Sequence, residues 1–359
     1  MKIGILTYHR SHNYGALLQA VATRFIIQSL GHEVYYIDYF PKYHKRMYSF
    51  FSWYEFKNLG LKGKLRYIVT RLKEYPYRKR RFSNFENFIN NEIIPFCTNQ
   101  NEKFDVIFYG SDQIWRIQGG INDFDPFYWG VGLQALKHVS LAASMGNIKL
   151  SSMQINKLRE LVGHLDVISV REIHLKRLLK SIGFFDTHLI LDPTLLLDAD
   201  EWNKVLPIGR KPNRKYLLLY DLLKGSFDKE AIKLFAKSKG LEVIEIVGTA
   251  QHKDTVFVRT TDGPYQFLDL IRYSEFIFTS SFHGLVFSII YNKPFYASFV
   301  KNSSRAESLL TFLCLKDYLL PPAINPIPIY KSIDYITINT LLRAERVNNI
   351  NFIKENCSI

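Results

Sequence analysis

Residues 275–296 constrain the fold more than any other stretch of this chain. They read Glu275-Phe-Ile-Phe-Thr-Ser-Ser-Phe-His-Gly-Leu-Val-Phe-Ser-Ile-Ile-Tyr-Asn-Lys-Pro-Phe-Tyr296. The apolar run 276–278 predicts a short buried strand. Thr279, Ser280 and Ser281 supply hydroxyls suited to capping a helix. Residues 285–291 predict an apolar helix that stops before Pro294. A buried strand that turns at once into a buried helix belongs in a parallel sheet covered on its faces. The turn between them holds His283 and Gly284. A helix start presents unpaired N–H groups to an anion, and a histidine there can move a proton near neutral pH. A core histidine that is merely satisfied is the plain alternative.

The N-terminus repeats the pattern. Residues 3–7 predict a strand, Tyr8–Gly15 a polar loop, residues 16–30 a helix closed by Gly31, and residues 33–39 a second strand. This β-α-β unit predicts an α/β fold with a parallel sheet. Further strands are predicted at 105–109, 138–143, 167–170 and 189–191. A helix is predicted at 82–94. Residues 198–214, with Pro207, Gly209 and Pro212, read as a linker. A second series of strands and helices begins at 215. The length of 359 residues suits two such units. The predicted division is 1–198, 199–330 and a helical tail, 331–359, packing back on the first unit.

Hydrophobic content of 47% excludes a mostly disordered chain. The start predicts a strand rather than a leader, and Cys97, Cys314 and Cys357 form no disulfide framework. Both observations predict a cytoplasmic protein. The net charge of +14 implies an anionic partner. Much of that charge lies in residues 42–82, where Lys and Arg alternate with aromatic rings and only Glu55 and Glu74 oppose them. Such a segment suits an anionic membrane surface, a nucleic-acid backbone or a solvated helical insertion whose aromatics pack on the domain.

Five polar clusters fall at predicted strand ends, where ligands of doubly wound sheets bind. They are His9, Arg10, His12 and Asn13; Ser111, Asp112 and Gln113; Ser144-Met-Gly146; Arg171 and Glu172; and Ser280 to His283. Two sheets with facing strand ends place them around one cleft. Each has a plainer reading: loop surface for His9 and His12, a cap for Asn13 or Asp112, and an ion pair with Glu172 for Arg171. Lys301 and Arg305 add positive charge after the last predicted strand, or form an ordinary basic loop. No glycine-rich phosphate loop is present, which opposes dinucleotide and P-loop chemistry. His9-x-x-His12 lacks a convincing acidic or cysteine partner, so no metal is expected.

Together these segments resemble the polysaccharide pyruvyl transferase family. The resemblance rests on Gly4-Ile-Leu-Thr-Tyr-His-Arg-Ser-His-Asn-Tyr-Gly-Ala16, Gly110-Ser-Asp-Gln-Ile-Trp115, Ala142-Ala-Ser-Met-Gly146, Ser169-Val-Arg-Glu172, Leu191-Asp-Pro-Thr194 and Ser280-Ser-Phe-His-Gly284 with Val286-Phe-Ser288. It implies two Rossmann-like domains facing across a cleft, like glycosyltransferase fold B. It also implies transfer of pyruvate from phosphoenolpyruvate to a sugar as a cyclic ketal, with no cofactor. The acceptor implied is a saccharide, often lipid-linked, which suits peripheral attachment to the inner membrane face.

Arg171 and His283 are the donor-site residues that the resemblance implies. Some members carry an arginine before the histidine, where this chain has Phe282, so Lys301 or Arg305 is expected to supply the missing charge. On this reading His283 is the acid. Asp112, or the loop of His9, His12 and Asn13, orients or deprotonates the acceptor, with Gln113 beside it. Ser280, Ser281 and Gly284 make the second anion contact. Two rivals remain: a nucleotide-sugar glycosyltransferase of the same fold, and a basic nucleic-acid-binding protein. Against the first, no acidic residue lies between Glu275 and Glu307. Against the second stand the polar clusters at strand ends, and no nucleic-acid partner is expected.

Overall fold

The computed structural model describes residues 1–47, 53–118, 121–146, 149–222, 225–246, 257–259, 261–300 and 304–358. Lys301 lies outside the described residues, as do residues 48–52 of the basic insertion.

The first half runs β1 (Lys2–Leu6), α1 (Tyr14–Ser29), β2 (Glu33–Ile37), α2 (Lys42–Met47), α3 (Trp53–Lys57), α4 (Leu61–Glu92), β3 (Cys97–Thr98), β4 (Lys103–Tyr109) and β5 (Gln134–Ser140). It continues with α5 (Ser152–Val162), β6 (Ile168–Val170), α6 (Ile173–Ser181), β7 (Thr187–Leu189) and α7 (Ala199–Val205). The second half runs β8 (Tyr216–Tyr220), α8 (Lys229–Ser238), β9 (Glu242–Ile246), β10 (Phe257–Arg259), α9 (Pro264–Arg272), β11 (Phe276–Thr279), α10 (Phe282–Ile290), β12 (Phe295–Ala297), α11 (Ser304–Phe312) and α12 (Tyr335–Asn356).

Two five-stranded sheets result, with orders β3-β2-β1-β4-β5 and β10-β9-β8-β11-β12, and every pairing within them is parallel. Both sheets have the same order, with the first strand of each half at the centre. In each, the strand order reverses beside that central strand, and the crevice outside its carboxyl end is where ligands bind. Strands β6 and β7 pair with each other, and bridges from Val139 to Val167 and from Ala143 to Val170 join them to the first sheet. The two facing α/β units are the arrangement of glycosyltransferase fold B.

One apolar core runs through both units. It joins Leu17 and Val21 of α1, Leu195 and Trp202 around α7, and Phe267, Leu285 and Val286 of α9 and α10. Tyr14 anchors the seam. Its ring stacks on Phe267 at 4.5 Å, and its hydroxyl donates to the Asp262 carbonyl at 2.7 Å.

Several expectations are corrected. The helix expected at 82–94 is the last third of α4, a helix of 32 residues that contains Pro76. Glu74 sits between Arg71 and Arg78 at 3.6 and 3.7 Å and relieves repulsion along that basic helix. The expected linker at 198–214 holds α7, because Asp198 and Glu201 form a reciprocal capping box. The helical tail expected at 331–359 holds α12, Tyr335–Asn356. It packs on the first half of the chain: Asn349 accepts from the Leu191 amide at 2.6 Å, and Arg346 donates to the Leu195 and Leu197 carbonyls.

Candidate active site

The carboxyl ends of β1, β4, β8 and β11 open on one cavity of about 270 Å³. Tyr8, Ser11, Asn13, Asp112 and Gln113 line it from the first sheet, and Ser280, Ser281, Phe282 and His283 from the second. Arg116, Arg305 and His44 complete its polar wall.

Helix α10 begins at Phe282, so His283 lies in its first turn rather than ahead of it. Ser281 is the cap and accepts from the Gly284 amide at 3.4 Å. The ring of His283 is pressed against α1 of the other unit. A Cβ on Gly15 would lie 1.8 Å from its Nδ1. Only glycine allows that approach.

On its other side, His283 Nε2 lies 3.6 Å from Asp192 Oδ2, with no hydrogen-bond partner of its own. Asp192 is the hub of the site. Its Oδ1 accepts from the Thr194 amide at 3.0 Å and the Thr194 hydroxyl at 2.7 Å. Its Oδ2 accepts from Ser111 Oγ at 3.1 Å and from Arg171. Burial pushes the Asp192 carboxyl up. The neighbouring His283 and Arg171, with the hydrogen bond from Thr194, outweigh that and hold it well below the usual carboxylate range.

Arg171 is itself buried. Besides Asp192 it meets Asp112 at 3.5 Å and Glu172 at 3.9 Å. Burial disfavours its charge, but Asp192, Glu172 and Asp112 hold its pKa above the ordinary value. Glu172 accepts from Ser144 Oγ, which ties the Ser144-Met-Gly146 cluster to the same network. The Arg171 guanidinium therefore stands behind the cavity wall. Phe282 separates it from Arg305, each guanidinium lying 5.2 Å from the ring centroid on which both pack. Burial first, and the charge of Arg171 second, depress the Arg305 guanidinium to about 10. Arg171, Phe282 and Arg305 also border a second, mostly apolar cavity of about 260 Å³.

Of the residues singled out from sequence, Asn13, Asp112, Gln113, Ser280, Ser281, His283 and Arg305 meet in the cavity. Asn13 also caps α1, and Asp112 also accepts from the Gln113 amide at 2.7 Å. Ser280 donates to Asp221 at 2.7 Å. Gly284 is a packing position instead: a Cβ there would lie 2.2 Å from Thr279 Oγ1.

Neither loop histidine reaches the cavity, because each finds a carboxylate elsewhere. His9 is fully buried, donates to the Thr7 carbonyl at 2.9 Å and faces Asp38 at 3.6 Å. His12 meets Glu86 at 2.7 Å and packs on Phe85.

Asp192, His44 and Arg116 were not singled out from sequence. Asp192 stood in view within the Leu191-Asp-Pro-Thr194 motif. His44 and Arg116 carry no sequence signal beyond their residue type.

Among the described residues, His9, Asp38 and Cys97 bring potential metal-ligand atoms within 4.8 Å of one another. Arg10 already forks onto Asp38 at 2.9 and 2.6 Å, and burial pushes the Cys97 thiol up to about 12. Both features oppose a cation there.

Comparison with known proteins follows this geometry. Among solved structures, the chain is similar to the UDP-GlcNAc 2-epimerase of Methanocaldococcus jannaschii. Identity is 12% and the TM-score 0.47, covering 96% of this chain and 92% of that one. It is also similar to the UDP-GlcNAc 2-epimerase of Neisseria meningitidis bound to UDP-GlcNAc, at 10% identity and TM-score 0.46, covering 99% and 94%. The E. coli heptosyltransferase WaaC with ADP matches at 10% identity and TM-score 0.36, covering 99% and 100%. No curated protein matches the chain. The family model for polysaccharide pyruvyl transferase matches residues 13–298, a span holding Asn13, Asp112, Arg171, Asp192 and His283. The chain belongs to the polysaccharide pyruvyl transferase family and is a transferase.

Proposed function

We propose that the protein transfers pyruvate from phosphoenolpyruvate to two hydroxyls of a saccharide, forming a cyclic ketal and releasing phosphate. The observation that carries this reading is the meeting of His283, facing Asp192 at 3.6 Å, with Arg305, Arg116 and the α10 start around one cavity. Phosphoenolpyruvate is strongly anionic at neutral pH. Arg305, Arg116 and the N-terminus of α10 suit its carboxylate and phosphate. Arg305 compensates for Phe282: the ring is the shelf on which the second arginine rests. Arg171, neutralised largely by Asp192, fixes that carboxylate rather than meeting the donor.

The chemistry balances with two proton movements. The donor methylene carbon gains a proton, C2 becomes oxocarbenium-like, one hydroxyl adds, phosphate leaves and a second hydroxyl closes the ring. Of the two hydroxyl protons, one is accounted for on the new methyl group and one on phosphate. His283 serves the donor side as general acid. Asp112 and Asn13 orient the acceptor across the cavity.

The test is a screen of p-nitrophenyl hexosides with phosphoenolpyruvate. The expected product is a glycoside heavier by pyruvate less one water, with one phosphate per product. Thermal stabilisation by UDP-sugars but not by phosphoenolpyruvate would overturn the reading in favour of glycosyl transfer.

The acceptor proposed is lipid-linked, and the protein peripheral at an anionic cytoplasmic membrane face. No helix among the described residues is long and apolar enough to cross a membrane. Helix α4 supports attachment to a surface instead. Leu61, Leu65 and Leu72 are 87%, 66% and 69% exposed, at spacings that place them along one face. Lys62, Lys64, Arg66, Lys73, Lys79 and Arg80 accompany them. Apolar side chains flanked by cations suit an anionic bilayer surface. The full chain is expected to float with phosphatidylglycerol vesicles and not with phosphatidylcholine vesicles, and Leu65→Glu with Leu72→Glu to abolish flotation. Unchanged flotation of that variant would sink the assignment.

A further inference from the structure

We infer that His44 is the group that takes the proton from the attacking acceptor hydroxyl, an assignment that rests on the pyruvyl-transfer reading above. His44 comes from α2, the first helix of the basic insertion, yet it is buried and lines the same cavity as His283. The two imidazoles reach that cavity from different units of the fold. A ketal-forming site needs both: one group to protonate the donor, another to accept protons from the acceptor.

The position of His44 is built rather than incidental. Tyr39 and Tyr43, which flank the start of α2, both donate to Asp125 Oδ2, at 2.8 and 2.5 Å. Tyr8 meets the His44 ring edge-on at 4.4 Å, and Tyr43 does so at 4.8 Å. Tyr8 is itself fixed: its hydroxyl donates to the Gln113 carbonyl at 3.0 Å and accepts from Gln118 at 2.5 Å. Aromatic rings thus hold the His44 ring at the cavity it lines.

The charge environment agrees with that role. Burial, and then Arg116, lower the His44 imidazole to about 4, against the opposing charges of Asp112 and Asp125. Tyr8, Tyr43, Phe40, Asp112, Asp125 and Arg116 are the groups that face it. At neutral pH the ring is therefore uncharged and able to accept a proton. Binding of the donor anion raises its basicity at the moment it is needed. Asp112 is less free to act: its Oδ1 holds the Gln113 amide and faces Arg171.

In the step assigned, the hydroxyl O–H bond breaks toward an imidazole nitrogen. The oxygen pair forms the bond to C2, and the C2=C3 pair takes a proton from the His283 side. The proton gained by His44 later leaves with phosphate, which departs with the pair of its bond to C2; the second hydroxyl then closes the ring onto C2, and its proton returns to His283. No oxidant or further reactant is needed.

The test compares wild type, His44→Ala and His44→Gln on the hexoside that the screen identifies. We expect His44→Ala to lose about 10²–10⁴-fold in kcat. Its thermal stabilisation by phosphoenolpyruvate should match that of wild type, and added imidazole should restore part of the lost turnover. Three results would overturn the assignment: kcat of His44→Ala within about threefold of wild type, full activity of His44→Gln, or loss of stabilisation by phosphoenolpyruvate in His44→Ala. If wild type is neither stabilised by phosphoenolpyruvate nor active on any hexoside, the pyruvyl-transfer reading itself fails, and His44 falls with it.

Discussion

Replacing His283 with alanine is expected to lower phosphate release from phosphoenolpyruvate plus acceptor by about 10²–10⁴-fold, the usual contribution of a positioned general acid. The physical ground is placement. His283 sits in the first turn of α10, lines the cavity, and has Nε2 3.6 Å from the Asp192 carboxylate. Such a carboxylate orients the ring and offsets the charge it carries between proton transfers. Folding should survive the change, because Asp192 keeps Thr194, Ser111 and Arg171 as partners. A circular dichroism melt checks that, and phosphate release checks the rest. Near-wild-type phosphate release from a folded His283→Ala protein would remove the residue from the mechanism.

The second large effect is on stability. Asp192→Ala is expected to destabilise the fold by about 3 kcal/mol, at the low end for removing one partner of a buried ion pair. The low end applies because Asp112 and Glu172 still face Arg171 at 3.5 and 3.9 Å. The effect should depend on pH in one direction. The Asp192 carboxyl is held below its ordinary value in the folded state, so its contribution is fully present above the ordinary carboxylate pKa of about 4. That contribution is lost as pH falls from there toward the lower folded value. Urea unfolding at pH 7 should show the full difference between wild type and variant, and the difference should shrink in acid below about pH 4. A difference that stays constant into acid would mean the residue acts by packing rather than by charge. Activity should also fall, since the carboxylate facing His283 is gone.

The organisation of the fold was largely readable from local signals. Apolar runs bounded by Gly, Pro and capping residues marked β1, β4, β8 and β11, and the polar clusters after them marked the cavity. His283 stood out because a strand, a cap and an apolar helix bracketed it. What escaped notice depends on long-range partners. Asp192 owes its role to Arg171, Ser111 and His283, which are distant in sequence. His9 and His12 looked like His44 on paper, yet Asp38 and Glu86 draw them aside while aromatic rings hold His44 at the cavity. The full extent of α4 was hidden by Pro76 and by a charge run that fixes no helix boundary, although a helical insertion stood among the readings of residues 42–82. The neighbouring pair of Glu74 with Arg71 and Arg78 becomes legible only once the helix is formed.

The brace supplied by α12 bears on the order in which the parts of the fold can be completed. Asn349 and Arg346 grip the Leu191–Leu197 turn around Asp192, although they lie beyond the family's matched span, residues 13–298. A nascent chain that has released both sheets from the ribosome still lacks this clamp. Its Asp192 turn acquires its final support only after residue 349 has emerged. Support of the turn that carries Asp192 is thereby lent by residues about 150 positions further along the chain, and a chain cut before residue 346 would lose all three of these bonds.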